Sequence, residues 1–203
     1  MGVVEMSRLL LLSGGMDSVA LAWHLRPELS LTIDYGQRPA EGEIRAAQAI
    51  CEELHLRHKV LHIDCGTLGS GDLADKAALP VAPMPEWWPY RNQLLLTFTA
   101  GVAINEGTQH VVFGAVASDR SHADGRMEFF DAMNHVLSIQ EGAVVVETPA
   151  ILESTVELCQ RVRVPHTILA WSHSCHVGSF ACGVCRGCHK HRESMRELGY
   201  GEY

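Results

Sequence analysis

Long apolar runs are missing from this 203-residue sequence. None approaches the ~18 residues that a membrane-spanning helix needs. The longest candidate, Leu94 to Ile104, is broken by Thr97, Thr99 and Gly101. The opening residues lack a signal-peptide pattern, because Glu5 precedes only the short run Leu9 to Leu12 and no small-residue cleavage site follows. Position 6 is Met6, not the Ser or Thr of a myristoylation signal. These absences point to a cytoplasmic protein with no membrane partner. Basic charge is also short: Lys and Arg total 16 against 24 Asp and Glu, a formal charge of −8. That balance argues against a protein that coats nucleic acid nonspecifically. Internal repeats and low-complexity segments are absent as well.

Ordinary globular composition remains, with 47% apolar residues, and it is enough to build a core without disulfides. Leu9 to Leu12 reads as a buried strand that runs into Ser13-Gly14-Gly15. A helix through Val19 to Leu25 is closed by Pro27. Further strands are expected at Leu29 to Ile33, Val60 to Ile63, His110 to Phe113 and Ala143 to Val146. Helices are expected over Glu41 to Leu56, Asn92 to Asn105, Arg126 to Ile139, and from a Ser154 cap to about Val162. Between them, residues 65–90 carry Gly66, Gly69, Gly71, Pro80, Pro83, Pro85 and Pro89, and read as a long mobile loop of the kind that covers active sites. Alternating strand and helix predicts a parallel sheet with helices on both faces, a Rossmann-like α/β fold. The division expected is an α/β domain over 1–170 and a distinct segment over 171–203 packed on it.

Ser13-Gly14-Gly15-Met16-Asp17-Ser18 joins the first strand to the first helix. Two glycines let the backbone turn tightly and approach an anion. The N–H groups opening the helix then point at that anion, and the helix dipole favours it. Ser13 and Ser18 add hydroxyls, and Asp17 can hold a Mg²⁺ that bridges phosphates. The Walker lysine is absent, which excludes an ordinary P-loop NTPase. A bare glycine turn with a serine cap is the plainer alternative.

Seven cysteines are present, and four follow the spacing Cys175-x6-Cys182-x2-Cys185-x2-Cys188. In a cytoplasmic chain such a cluster means metal before disulfide. Four thiolates suit tetrahedral Zn²⁺ in a closed structural site, with an iron–sulfur cluster as the competing reading. His173, His176, His189 and His191 crowd the same stretch and offer replacement ligands. Cys51, Cys65 and Cys159 read as plain thiols.

The six-residue string resembles the PP-loop of the N-type ATP pyrophosphatases. Joined to the cysteine pattern, to Asp34-Tyr35-Gly36-Gln37-Arg38, to Pro89-Tyr90-Arg91-Asn92 and to Glu147-Thr148-Pro149, it resembles the 7-cyano-7-deazaguanine synthase (QueC) family over nearly the whole chain. The resemblance implies an adenine nucleotide alpha hydrolase-like fold, a homodimer, and ATP-dependent conversion of 7-carboxy-7-deazaguanine and ammonia, through an adenylate and an amide, to the nitrile. Leu12, Ser13, Gly14, Gly15, Met16, Asp17, Ser18, Asp34 and Tyr35 would bind ATP with its Mg²⁺. Asp17, Arg38 and Arg91 would assist catalysis. Arg91, Asn92, Ser121, Asp124 and Arg126 would meet the substrate, and Cys175, Cys182, Cys185 and Cys188 would hold structural Zn²⁺.

The chain departs from the family's pattern twice. Ser121-His122-Ala123-Asp124-Gly125-Arg126 replaces a longer loop with an aromatic residue, Pro and Cys, and Trp87 or Trp88 is a candidate substitute stacker. The lysine that the family carries after Glu-Thr-Pro is missing around Ser154-Thr155, with Arg161, His166 and His173 as candidate replacements. Two further readings follow. One is a QueC-like enzyme of an antiviral defence cluster that joins the deazapurine carboxylate to a protein amine and stops at the amide. The other is a PP-loop enzyme that modifies tRNA, although residues 171–203, with four Lys/Arg against three Asp/Glu, offer no basic surface. A nucleotide-binding module without chemistry is the remaining alternative.

Overall fold

The computed structural model describes residues 7–201; the reading of the first six residues lies outside them. Five parallel strands form one sheet in the order β3-β2-β1-β4-β5. They are β1 (Arg8–Leu11), β2 (Leu29–Asp34), β3 (His58–His62), β4 (His110–Val112) and β5 (Val145–Glu147). Register places Leu9 beside Leu29 and Val111, and Leu10 beside Ser30 and Val112. The helices are α1 (Met16–Leu25), α2 (Ala40–Leu54), α3 (Arg91–Glu106), α4 (Met127–Ser138), α5 (Thr155–Val162), α6 (His166–Leu169) and α7 (Arg186–Glu197).

Strand side chains alternate between faces, and the central strand shows what this builds. Leu10 and Leu12 join Val19, Ile50, Leu158, Leu169 and Met195 on the face covered by α1, α2, α5, α6 and α7. Leu9 and Leu11 join Leu31, Trp88, Leu96 and Phe130 under α3 and α4. Both faces are buried, so β1 reads as a continuous apolar run. The strand order reverses between β1 and β4. In open α/β sheets, ligands bind at the carboxyl ends of the strands beside such a reversal.

The expected alternation is present. Two helices went unread. Helix α6 is a four-residue piece after Pro165, too short to leave a periodic trace. Helix α7 lay inside the stretch read only as a metal-stapled appendage. Its polar face dominates, and Met195 is the chief apolar anchor in the main core, with Leu198 and Tyr200 packed beside it. Residues 65–90 contain two short 3₁₀ turns, Gly66–Leu68 and Asp72–Ala74. Leu73 and Trp88 pin this segment into the core, Trp88 edge-on to Tyr35 at 4.9 Å between centroids. Among the described residues no helix is long and apolar enough to cross a membrane.

Candidate functional site

One cavity of about 290 Å³ opens at the β1/β4 reversal. Its floor is the loop after β1. Gly14 has φ +77, and a Cβ there would stand 2.8 Å from the Glu43 carbonyl oxygen, so the turn requires glycine. Gly15 precedes α1 with no side-chain cap, which leaves the first N–H groups of a ten-residue helix facing the cavity end of β1. Ser13 Oγ lies 3.3 Å from Ser18 Oγ, and Ser18 donates to the Gly15 carbonyl at 3.0 Å. Across the reversal, Gly114 follows β4, and a Cβ on it would meet the Ser18 backbone nitrogen at 3.4 Å.

Asp17 stands in the first turn of α1. Burial raises its pKa, partly offset by the charge of Lys190. Lys190 Nζ lies 3.3 Å from Asp17 Oδ2, while the buried Oδ1 has only Thr155 beside it. Thr155, at the head of α5, also lines the cavity, and its buried Oγ1 faces the Asp17 carboxylate, whose pKa it lowers. The capping box that begins α5 is built by Ser154, which accepts from the Glu157 N–H at 3.2 Å, and by Glu157, which accepts from the Ser154 N–H at 2.7 Å.

The opposite wall comes from the head of α3 and the loop after β4. Burial opposes the Arg91 charge, but Tyr35, Asp124, Asp119 and Glu43 around it hold it protonated. Asn92 is buried and donates through Nδ2 to the Asp124 carbonyl at 2.8 Å, while Asp124 Oδ2 accepts from the Asn92 N–H at 3.2 Å. Glu43 takes a hydrogen bond from Gln37 at 2.7 Å, and burial pushes its pKa up to about 7. Glu86 is 5% exposed and pairs with Arg186 and, at 3.5 Å, with His122. Burial would raise Glu86, yet its hydrogen bonds with His122 and its own backbone, and the Arg186 charge, hold it near about 2.

The cavity thus brings together Leu12, Ser13, Gly15, Met16, Asp17, Ser18, Tyr35, Arg91, Asn92 and Ser121 from the sequence reading. Gly14, Asp34, Arg38, Asp124 and Arg126 do not line it. Gly14 lies beneath, against α2. Asp34 holds the strand end by accepting from Gly36 N–H at 3.0 Å and contacting His62 at 3.1 Å. Arg38 pairs with Asp75 at 2.8 Å. Asp124 supports Asn92 from behind, and Arg126 Nε donates to the Arg120 carbonyl at 3.1 Å. Glu43, Glu86, Asp119, Arg186 and Lys190 were missed, and His122, Thr155 and His176 were named without a place in the cavity. Lysine scarcity was an available signal for Lys190. The chain has only three lysines; Lys59 pairs with Glu106 at 2.9 Å and Lys76 donates to the Gly66 carbonyl at 2.7 Å. Neither lines the cavity.

Beside the cavity, the sulfurs of Cys175, Cys182, Cys185 and Cys188 all lie within 4.8 Å of one another. Four sulfurs ~2.3 Å from one tetrahedral ion stand ~3.8 Å apart. Cys182 and Cys188 are 3.9 Å apart. A cluster that gives each cysteine its own iron would spread them further, so the set fits a single ion. Backbone N–H groups already aim at sulfur: Cys185 N to Cys182 Sγ at 3.3 Å, Cys188 N and His176 N to Cys185 Sγ at 3.4 Å. Such bonds favour thiolates. The crowding histidines do other work. His173 Nε2 meets the Gly178 carbonyl at 3.0 Å, and His191 meets Ser174 Oγ at 3.0 Å.

A glycine-lined cradle at the reversal of a parallel sheet, with a four-cysteine centre on its rim, defines a protein of PP-loop type with a C-terminal cysteine cluster able to bind a metal. The family model described as "Queuosine biosynthesis protein QueC" matches residues 7–199. Among curated proteins, the 7-cyano-7-deazaguanine synthase of Desulforudis audaxviator is 35% identical, over 96% of this chain and 98% of its own length. The enzyme of that name from Chlorobaculum parvum is 32% identical, over 97% of this chain and 95% of its own. The chain belongs to the QueC family of PP-loop N-type ATP pyrophosphatases. A solved NMN synthetase from Francisella tularensis is similar at 14% identity with a TM-score of 0.44, covering 97% of this chain and 79% of that one, too distant to carry a conclusion.

Proposed function

We propose that the protein uses ATP to activate the carboxylate of a 7-carboxy-7-deazapurine and joins it to an amine, ammonia leading through the amide to 7-cyano-7-deazaguanine. The observation that carries this is one cavity with an anion cradle on one wall and Arg91 with Asn92 on the other. The family match supports the chemistry at the level of amidation of a deazapurine carboxylate.

A carboxylate resists an amine because it is anionic and lacks a leaving group. Its oxygen attacks the α-phosphorus, the bond to the bridging oxygen breaks, and pyrophosphate departs. Ammonia then attacks the acyl carbon and AMP leaves with the carboxylate oxygen, giving the amide and a proton. A second adenylation on the amide oxygen, with loss of AMP and two protons, gives the nitrile. In this reading the α1 N–H groups with Ser13 and Ser18 bind phosphate. Asp17 is the carboxylate that would hold magnesium carried by the nucleotide, consistent with its buried Oδ1, which has only Thr155 beside it. Arg91 orients the substrate carboxylate, and Asn92 is fixed for the same face by Asp124. The four cysteines hold one zinc ion in a structural role, since four protein ligands leave no open position.

The test is mass spectrometry of products from ATP, 7-carboxy-7-deazaguanine and ammonium at neutral pH. AMP, pyrophosphate and the nitrile are expected. An amide with no nitrile would move the protein to the class that ends at an amide bond. No AMP under any condition would overturn the reading.

A further inference from the structure

Three cationic side chains other than histidine line the cavity: Arg91, Arg186 and Lys190. Arg186 is taken by Glu86. Arg91 sits on the α3 wall among Tyr35, Asp124, Asp119 and Glu43. Lys190 alone reaches the anion cradle, through its 3.3 Å contact with Asp17. The other flank of the cradle, the first turn of α5, offers Thr155 and the acidic Glu157 and no cation. The cradle also holds two buried oxygens, Asp17 Oδ1 and Thr155 Oγ1, which have no partner beyond each other among the described residues. Thr155 is only 4% exposed and lines the cavity.

We infer that Lys190, carried by α7 and held in place by the cysteine centre, is the cation that neutralises the nucleotide's phosphates. The inference rests on the ATP reading above. Without nucleotide the ammonium pairs with Asp17. With nucleotide present, one lysine rotamer change carries a compact charge with three donors from carboxylate to phosphate oxygen. No covalent bond of the protein changes. As pyrophosphate departs, negative charge grows on the bridging oxygen, and a fixed cation there acts on the transition state more than on the ground state. The placement has a structural logic. Cys185 caps α7, with its Sγ accepting from Cys188 N, and Cys188 lies in the first turn. Lys190 follows two residues later, so the metal centre sets both the start and the rotation of the helix that presents the ammonium.

The experiment compares wild type, K190M, K190R, T155K and the double variant K190M/T155K, which returns the charge to the cradle from its other flank. AMP formation, ATP binding by calorimetry and zinc content are measured on each. K190M is expected to lose about a hundredfold in kcat/KM for ATP, with zinc content unchanged. The double variant should recover at least tenfold of that loss, and K190R should retain part. A K190M protein within threefold of wild type, or a double variant no better than K190M, overturns the inference while leaving the ATP reading intact. Failure of wild type to bind ATP overturns both. Should K190M fail to fold, K190R still reports: with zinc content unchanged, partial retention of AMP formation and ATP binding supports the inference, and activity equal to that of T155K alone with ATP binding lost overturns it.

Discussion

In the proposed reaction, Asp17 is the residue at which the chemistry concentrates. Its carboxylate is buried at a cost, because desolvation raises its pKa, and Lys190 and Thr155 offset only part of that cost. Asp17→Asn should therefore keep the fold while lowering AMP formation by about 10²-fold or more; full activity in that variant would remove Asp17 from nucleotide binding. Glu43 gives a second prediction. Burial first of all lifts its pKa from 4.5 to about 7, so the folded state binds this proton more tightly than the unfolded chain does. Its contribution is fully present below pH about 4.5 and is lost as pH rises through about 7. Denaturant unfolding at pH 5 and pH 8 should show Glu43→Gln losing less stability over that interval than wild type. Identical drops would show that Glu43 titrates normally. The six residues from Ser13 to Ser18 were legible because they are contiguous and follow a strand. Glu86, Lys190 and Arg186 were not, because only the fold brings residues so distant in sequence to one cavity.

At the scale of the element, the cysteine spacing told where a metal can bind but not which helix that site begins. The sequence after Ala170 shows no apolar stripe, and α7 is a helix because a ligand caps it and Met195 anchors it in the core. Removing the metal should consequently do more than loosen a tail. Metal binding free energy is folding free energy for such a segment, so chelation or Cys185→Ser should expose residues 171–201 to limited proteolysis and lower ATP turnover at least tenfold, while the sheet's circular dichroism persists. Turnover unaffected by loss of the metal would separate α7 from the site. Helix α5 shows the opposite case. Its boundary was readable from Ser154 alone, and the capping box confirms the reason: the signal is local, and local signals survive without tertiary context.

At the scale of the whole molecule, the cavity proposed for the nucleotide lies where three packed regions meet. The loop after β1, the head of α3 with its buried Trp88, and α7 from the C-terminal segment all line one cavity. The strand order that creates this junction was legible only as a class, since alternating strands and helices predict a parallel sheet but do not say which neighbour β1 takes. A nucleotide bound there contacts parts of the chain on both sides of residue 170, so it should stabilise them together. At a concentration a hundredfold above its Kd, ligand adds ~2.7 kcal/mol to the folded state, which for a chain of this size raises Tm by roughly 5–10 °C. Calorimetry of the zinc-loaded protein should show one transition without ATP and one transition with it, displaced upward by that amount, and no displacement in Asp17→Asn. Two resolved transitions, with only the larger moved by ATP, would mean that the C-terminal segment takes no part in holding the nucleotide. Lys190 would then be a surface partner of Asp17 and nothing more. A single displaced transition requires that the segment stapled by the four cysteines is a wall of the nucleotide site.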